Sequence, residues 1–435
     1  MTTATPNAIP VVPVTRIKKP GQPIFFFVIS LLGVLFSLGS GGFLLFVGKF
    51  MQTEMPRELG ETFTAQMGMY SVLILISLIA SVISMVHAIR EMSGRPAKPL
   101  RPMVRWTVWS ALLLPWLAAL IWFRPLSESL PSWIGKPVLL FFITVVPLVW
   151  FLEVGRRKIL EHSRCFSTGS VTMTVTFGLG LILFLESTIL MIGVGVGMGF
   201  LLTDPNFFNE LFEAVSITGN QQELVQRMME LLGPLMENPW VILGILAVFA
   251  LIVPLIEEFF KPLGLWFVSG AKITPPQGAL LGMLAGFGFA LWESYGYMQM
   301  LMLPMDMQMI ALRAGTGILH IFCSGLVGWG LASAWWYKRS SSAVWTFLVA
   351  LLIHGVWNGV SILSGTRQMG SGEPTGMKPL FLVFFGVTLG LMVFFQWRLN
   401  LKLQEQQAEI EGPDAPAELP VARPGMDPFA PHLEG

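Results

Sequence analysis

Four consecutive apolar stretches of this sequence carry ionisable or amide side chains near their centres. Asp, Lys or Arg at the centre of a membrane helix costs about 2.5–3.5 kcal/mol on insertion scales, so a set of such groups needs partners. Glu257 and Lys261 are four residues apart and share one helix face, as do His354 and Asn358. The sequence therefore predicts one polar pocket enclosed by the four stretches. Its members are Glu257, Glu258, Lys261, Glu293, Arg313, His320, His354 and Asn358.

Carboxylates, imidazoles, an amide and a lysine in a dry enclosure suit the hydrolysis of a peptide bond. A carboxylate can act as general base on a water molecule. Neutral imidazoles and a carboxylate suit a Zn²⁺-like ion, and three such ligands leave an open position for water. An Asn amide or a protonated imidazole can donate to the oxyanion of the intermediate. Pro254, Pro262 and Gly264 are expected to interrupt the helix around the acid pair, and the freed backbone groups could pair with an extended substrate.

The elements that hold this pocket are predicted to be membrane helices. Of the 435 residues, 54% are hydrophobic and only 12% are charged, whereas a soluble domain has about 25% charged residues. We therefore predict an all-α polytopic membrane protein with about ten transmembrane helices, each needing roughly 20 apolar residues, and a four-helix catalytic unit in the C-terminal half. The predicted spans are 24–47, 67–89, 105–123, 137–154, 171–202, 239–269, 278–303, 313–337, 342–365 and 378–397.

Charge and cysteine content exclude several classes of protein. The formal net charge of +1 argues against nucleic acid as a partner. The two cysteines, Cys165 and Cys323, are far apart in sequence, so neither a disulfide framework nor a cysteine metal site is indicated. Glu186 is a lone acid in the fifth predicted span, and its simplest interpretation is an interhelical hydrogen bond or a protonated structural carboxyl.

Basic residues cluster in alternate connecting segments, which orients the spans. With the N-terminus in the cytoplasm, most of the 27 Lys and Arg residues fall on the cytoplasmic side, and both termini are predicted there. The predicted order is a cytoplasmic leader, an N-terminal five-helix membrane region, an extracytoplasmic acidic loop, a catalytic membrane core, a last transmembrane helix and a disordered cytoplasmic tail. Their bounds are 1–23, 24–202, 203–238, 239–365, 366–401 and 402–435.

The pocket residues resemble the PrsW family of intramembrane proteases, relatives of the CAAX-processing and bacteriocin-processing membrane proteases. Four motifs of that family occur in order on consecutive spans, and the resemblance covers about 239–365. Ser294 follows the second motif, where many members have Asn. The matching segments are "EEFFK" (257–261), "FALWE" (289–293), Arg313 with "HIFCSG" from His320, and "HGVWN" (354–358).

The resemblance implies a role for each matched residue. Glu257 is the water-activating base, Glu258 supports it or shares that role, and Lys261 balances their charge. Asn358 is an oxyanion donor. The candidate ligands of a Zn²⁺-like ion are Glu293, His320 and His354.

A second version of the chemistry stays open, because the related CAAX enzymes have also been interpreted as metal-independent glutamate proteases. In that version Glu257 and Glu293 orient the water, while His354 and Asn358 hold the oxyanion. Both versions make Glu257 indispensable.

The resemblance implies an intramembrane endopeptidase of a plasma membrane that acts on membrane-protein or peptide substrates, including anti-sigma-factor-like regulators. Buried Glu and His on adjacent helices also form proton relays, so a proton- or cation-coupled transporter is an alternative. The absence of an inverted repeat in the sequence argues against it. A catalytically inactive membrane sensor is a further alternative, which the intact motifs disfavour.

Overall fold

A computed structural model describes most of the chain, namely residues 21–54, 57–97, 106–129, 135–201, 238–269, 271–300, 307–371 and 379–411, with a few isolated positions between 202 and 237. All regular elements within these ranges are helices, which confirms the predicted all-α class. The predicted acidic loop lies outside the described residues apart from those isolated positions. Most of the predicted leader and tail also lies outside them.

The helices fall into two groups separated by the undescribed loop. The first group consists of α1 Gly21–Glu54, α2 Arg57–Met92, α3 Trp106–Ile121, α4 Phe123–Ser129, α5 Gly135–Gly155, α6 Arg164–Met173, the π-helical segment π1 Thr174–Gly178, and α7 Leu179–Leu201. The second consists of α8 Pro239–Leu246, the π-helical segment π2 Ala247–Ile252, α9 Val253–Phe260, α10 Leu263–Trp266, α11 Pro275–Met300, α12 Met307–Tyr337, α13 Ser341–Ser371 and α14 Pro379–Glu411.

Eight stretches of helix among the described residues are long and apolar enough to cross a membrane, which makes this a multi-pass membrane protein. The other two predicted spans, 105–123 and 278–303, are helical as α3 and α11 but are not among the eight. The apolar part of α3 covers only Ser110–Ile121. Helix α11 has 26 residues, which is long enough, but it carries Glu293 and several glycines.

The predicted sixth span, 239–269, is interrupted around the acid pair, as its prolines indicate. It consists of α8, π2, α9 and α10 rather than one regular helix. Pro254 lies at the junction of π2 and α9, and Pro262 separates α9 from α10. The acid pair therefore sits on a short helix that is irregular at both ends.

Helices α11 and α12 pack at close range through small residues. A Cβ atom added to Gly282 would clash with the backbone carbonyl of Ser324, and one added to Gly286 would clash with that of His320. Only glycine permits this approach of the two backbones. The close packing puts the last turns of α11, with Glu293, beside the middle of α12, with His320.

Helix α14 extends beyond the end of the predicted last span. It continues to Glu411, so the predicted disorder is wrong for residues 402–411, and the rest of the predicted tail lies outside the described residues. Leu403 is fully buried, the Trp329 indole donates to Gln406 Oε1 at 3.1 Å, and the Leu160 amide donates to Gln407 Oε1 at 3.0 Å. These contacts hold the extra turns against the α5–α6 connection and α12.

We predict that Gly282→Ala destabilises the protein by about 1–3 kcal/mol, the usual cost of overpacking a tight contact. The measurement is thermal unfolding in detergent. Gly390→Ala on α14 is the matched control, because a Cβ there meets nothing within 4 Å. An equal effect of the two substitutions would contradict the close packing of α11 on α12.

Candidate active site

The centre of the polar cluster is the ammonium group of Lys261, which is completely buried. Its Nζ lies 2.6 Å from Glu257 Oε2 and 2.9 Å from Glu258 Oε1. It also lies 2.7 Å from His320 Nδ1 and 4.4 Å from the centroid of the Phe289 ring. A single cation thus contacts two carboxylates, an imidazole and an aromatic face. Its charge offsets the free-energy cost of burying the acid pair.

Each imidazole of the cluster is oriented by a carboxylate. His320 Nε2 lies 2.7 Å from Glu293 Oε2, and His354 Nδ1 lies 2.9 Å from Glu258 Oε1. Because an ionised carboxylate only accepts, these nitrogens carry the protons. The unprotonated nitrogens, His320 Nδ1 and His354 Nε2, then lie 3.7 Å and 3.9 Å from Glu257 Oε2. The unprotonated nitrogens of both rings and Lys261 Nζ therefore surround one oxygen of Glu257, and Lys261 also donates to His320 Nδ1.

The Glu293 carboxylate is held between two partners. Its Oε2 contacts His320, and its Oε1 accepts from Arg313 Nη1 at 3.3 Å. Glu293 and Arg313 retain 15% and 18% side-chain exposure, while Glu258 and Lys261 have none. Among the described residues, the cluster is thus most accessible at its Glu293–Arg313 end.

Asn358, one turn after His354 on α13, bonds to the backbone. Its Nδ2 donates to the backbone carbonyl of Phe249 at 3.0 Å, inside the π-helical segment π2. Gly355 lies against the neighbouring carbonyl of Ala250, where a Cβ would clash. Asn358 therefore stabilises the irregular backbone before the acid pair, with one of its two amide hydrogens.

The first group of helices also positions the cluster. Thr174 Oγ1 donates to the backbone carbonyl of Lys261 at 3.1 Å, so π1 fixes the end of α9. An added Cβ on Gly178 would lie 3.6 Å from the carbonyl of Phe260. The site is therefore assembled by more than the four predicted spans. Sequence alone gave no signal for Thr174, because a threonine in an apolar span is common.

The donor set fits a divalent cation in type and spacing. Glu257, Glu258, His320 and His354 each offer one ligand atom, and these atoms lie within 4.8 Å of one another. Oε2 of Glu257 and Oε2 of Glu258 are buried without a hydrogen-bond partner, although Lys261 lies close to the first, and such orphaned oxygens would be satisfied by a cation. However, Lys261 Nζ contacts three of these four residues, so an ion would compete with the ammonium.

This group differs from the predicted ligand set, because it lacks Glu293 and adds Glu257 and Glu258. His320 and His354 belong to both, but Glu293 is not in the group, because its carboxylate faces the protonated nitrogen of His320 and Arg313. A carboxylate that holds the far nitrogen of an imidazole orients a ligand instead of binding the ion itself.

A buried cluster of acids, imidazoles and a lysine inside a multi-pass membrane protein is typical of two classes of protein. These are intramembrane enzymes and membrane transporters, both of which have a polar site at membrane depth. The particular family follows from sequence comparison: residues 185–395 match the model of the PrsW family intramembrane metalloprotease. The match covers just under half of the chain. It confirms the predicted resemblance to this family and extends it to a region that runs from α7 into α14. At the level of that family, the match supports a protease. Searches of curated proteins and of solved structures gave no match.

We predict that Lys261→Met destabilises the protein by about 3–5 kcal/mol, because it leaves buried carboxylates without their counter-charge. Adding Glu258→Gln to that variant should recover part of the loss, since it removes one uncompensated charge. Thermal unfolding in detergent measures both effects. Lys272→Met, at an exposed lysine, is the control. A Lys261→Met variant as stable as this control would contradict the central role of the ammonium.

Proposed function

We propose that the protein is an intramembrane endopeptidase that hydrolyses peptide bonds of membrane-protein substrates, with Glu257 activating the water. The observation that carries this proposal is the convergence on Glu257 Oε2 of Lys261 Nζ at 2.6 Å, His320 Nδ1 at 3.7 Å and His354 Nε2 at 3.9 Å. An oxygen surrounded in this way is oriented toward the groups that would share a water molecule with it. The family match supports peptide hydrolysis in general, and we propose the role of each residue from the geometry of the site.

The reaction needs one proton to move twice. Glu257 takes a proton from water while the water oxygen bonds to the carbonyl carbon of the substrate. The C–N bond of the tetrahedral intermediate then breaks, and the leaving amine takes the proton from Glu257. Lys261 holds the Glu257 carboxylate, and Glu258 holds His354 through Nδ1.

The oxyanion of the intermediate needs a hydrogen-bond donor. Asn358 keeps one amide hydrogen after donating to Phe249, and we assign this hydrogen to the oxyanion. The carbonyl of Phe249 fixes the amide in one orientation, which makes it a prearranged donor.

Three of the four clustered donors, Glu258, His320 and His354, would hold a Zn²⁺-like ion and leave Glu257 free as the base, with Glu293 orienting His320. When bound, such an ion supplies a Lewis acid for the water and the substrate carbonyl. Lys261 must then move away from at least part of the donor set. The metal-assisted and glutamate forms of the reaction therefore differ in where the Lys261 ammonium lies.

Substrate access and cellular context extend the same proposal. The Glu293–Arg313 end of the cluster is its most accessible part among the described residues, and we propose that an extended substrate segment enters there. Membrane-bound regulators of the anti-sigma-factor type are the proposed substrates. The proposed location is the plasma membrane, with both termini in the cytoplasm, in line with the distribution of basic residues.

We predict that Glu257→Gln reduces cleavage by about 10²–10⁴-fold, the contribution of a positioned general base. The assay uses the full chain in proteoliposomes with internally quenched single-span peptides whose centres contain helix-breaking residues. Glu405→Gln, at an exposed carboxylate on α14, is the matched control. Undiminished cleavage by Glu257→Gln would exclude this base, and proton flux without cleavage by the unchanged protein would favour the transporter.

We also predict that Lys261→Met binds Zn²⁺ more tightly than the unchanged protein, because it removes the cation that competes for the donors. Zinc titration followed by elemental analysis measures this, and His320→Ala and His354→Ala should each weaken binding. Lys272→Met is again the control. Equal zinc affinity of Lys261→Met and the unchanged protein would contradict competition at this site.

A further inference from the structure

The inner part of the cluster is closed to a substrate in this structure. Its five members are each at most 4% exposed, namely Glu257, Glu258, Lys261, His320 and His354. Hydrolysis needs the carbonyl carbon of the substrate within about 3–3.5 Å of the attacking water beside Glu257. Even a segment that enters at the Glu293–Arg313 end therefore reaches this place only when an enclosing element moves aside.

The least embedded elements around the cluster are α8 and π2. Among the eight apolar stretches, Pro239–Phe260 is the least buried, and no residue of α8 or π2 is buried. The region after this stretch is anchored, because Thr174 holds the Lys261 carbonyl and Gly264 packs against the backbone of Ser170. Helices α11 and α12 are held together by their glycine contacts. Of these elements, α8 and π2 therefore lose the least buried packing when they move.

The bond that closes π2 against α13 replaces a missing backbone hydrogen bond. The Val253 amide donates to the carbonyl of Val248, five residues earlier. Pro254 has no N–H, so the next bond of this pattern, to the Phe249 carbonyl, cannot form. Asn358 of α13 donates to that carbonyl instead, at 3.0 Å. The carbonyl thus depends on a side chain of another helix, which can release it without unwinding π2.

Small residues form the contact beside this bond. Gly355 leaves room for the carbonyl of Ala250, and a Cβ atom on Gly359 would lie 3.5 Å from Ala250 Cβ. At these two positions α13 presents no side chain to π2, and the backbones approach as they do at other small-residue contacts in membranes. The two elements therefore separate here without repacking of large side chains.

We propose that α8 and π2 form a gate over the site, which swings on the π2–α9 junction at Pro254, separates from α13 to admit the substrate and then closes on it. Proline and π-helical turns are common sites of bending in helices. Admission of the substrate breaks the bond of Asn358 to Phe249 and frees the oxyanion donor, and closure orients that donor again. The inference rests on the proposed function and adds a conformational step to it.

The test locks the gate with the double variant Ala250→Cys/Gly359→Cys. The Cβ separation of 3.5 Å lies in the range of about 3.5–4.5 Å that a disulfide requires. With the quenched single-span peptides in proteoliposomes, we expect cleavage to fall in proportion to the cross-linked fraction and to return when a reductant is added. The native Cys165 and Cys323 are buried. The single variants Ala250→Cys and Gly359→Cys control for them, and the oxidant should not change their cleavage.

A second measurement needs no turnover. With Glu257→Gln added to the double variant, a fluorescent single-span peptide binds without being cleaved. Peptide added after oxidation should fail to bind, whereas peptide added before oxidation should stay bound through washing until the reductant releases it. Binding that does not depend on the order of addition, or full cleavage by the cross-linked protein, would overturn the gate. Failure of the proposed function would show differently, as cleavage by the protein without cysteine substitutions that Glu257→Gln does not diminish.

Discussion

The buried ammonium of Lys261 is the interaction on which the site depends. Two adjacent carboxylates, Glu257 and Glu258, could not remain ionised side by side in an apolar interior without a cation between them. Lys261 is one turn away on the same helix, so it meets both, and its backbone carbonyl is fixed by Thr174 from the first group of helices. Any change that moves α6 and π1 relative to α9 would therefore also move the counter-charge of the acid pair.

The two π-helical segments lie beside the same short helix, and their backbones are satisfied by specific partners. A π turn shifts the hydrogen-bonding pattern by one residue and leaves carbonyl groups that need other donors. In π2, the Phe249 carbonyl accepts from Asn358, and Gly355 permits close approach to the next carbonyl. Asn358 thus links the irregular backbone before the acid pair to the helix that carries His354. The Asn358 side chain therefore connects the π-helical backbone of π2 with the helix that contributes His354 to the ion cluster.

Hydropathy and spacing predicted the membrane class, most of the spans and the gathering of Glu257, Lys261, Glu293, His320 and His354, because each depends on local sequence. They did not predict which hydrogen-bond or ion-pair partner each of these side chains has. Glu293 bonds the far nitrogen of His320 because the glycines of α11 bring two backbones together, which is a packing effect.

The hydrogen-bond directions distinguish the two acids of the pair. Glu258 is completely buried, and its Oε1 already has two partners, His354 Nδ1 and Lys261. The Glu293 carboxylate likewise has His320 and Arg313 as partners. Each imidazole is therefore held by one of these carboxylates and presents its remaining nitrogen to Glu257. Because the other acids hold the protonated ring nitrogens, the unprotonated nitrogens of both rings lie on the side of Glu257, 3.7 Å and 3.9 Å from its Oε2. This asymmetry between the two acids supports the proposal that Glu257, and not its neighbour, is the base.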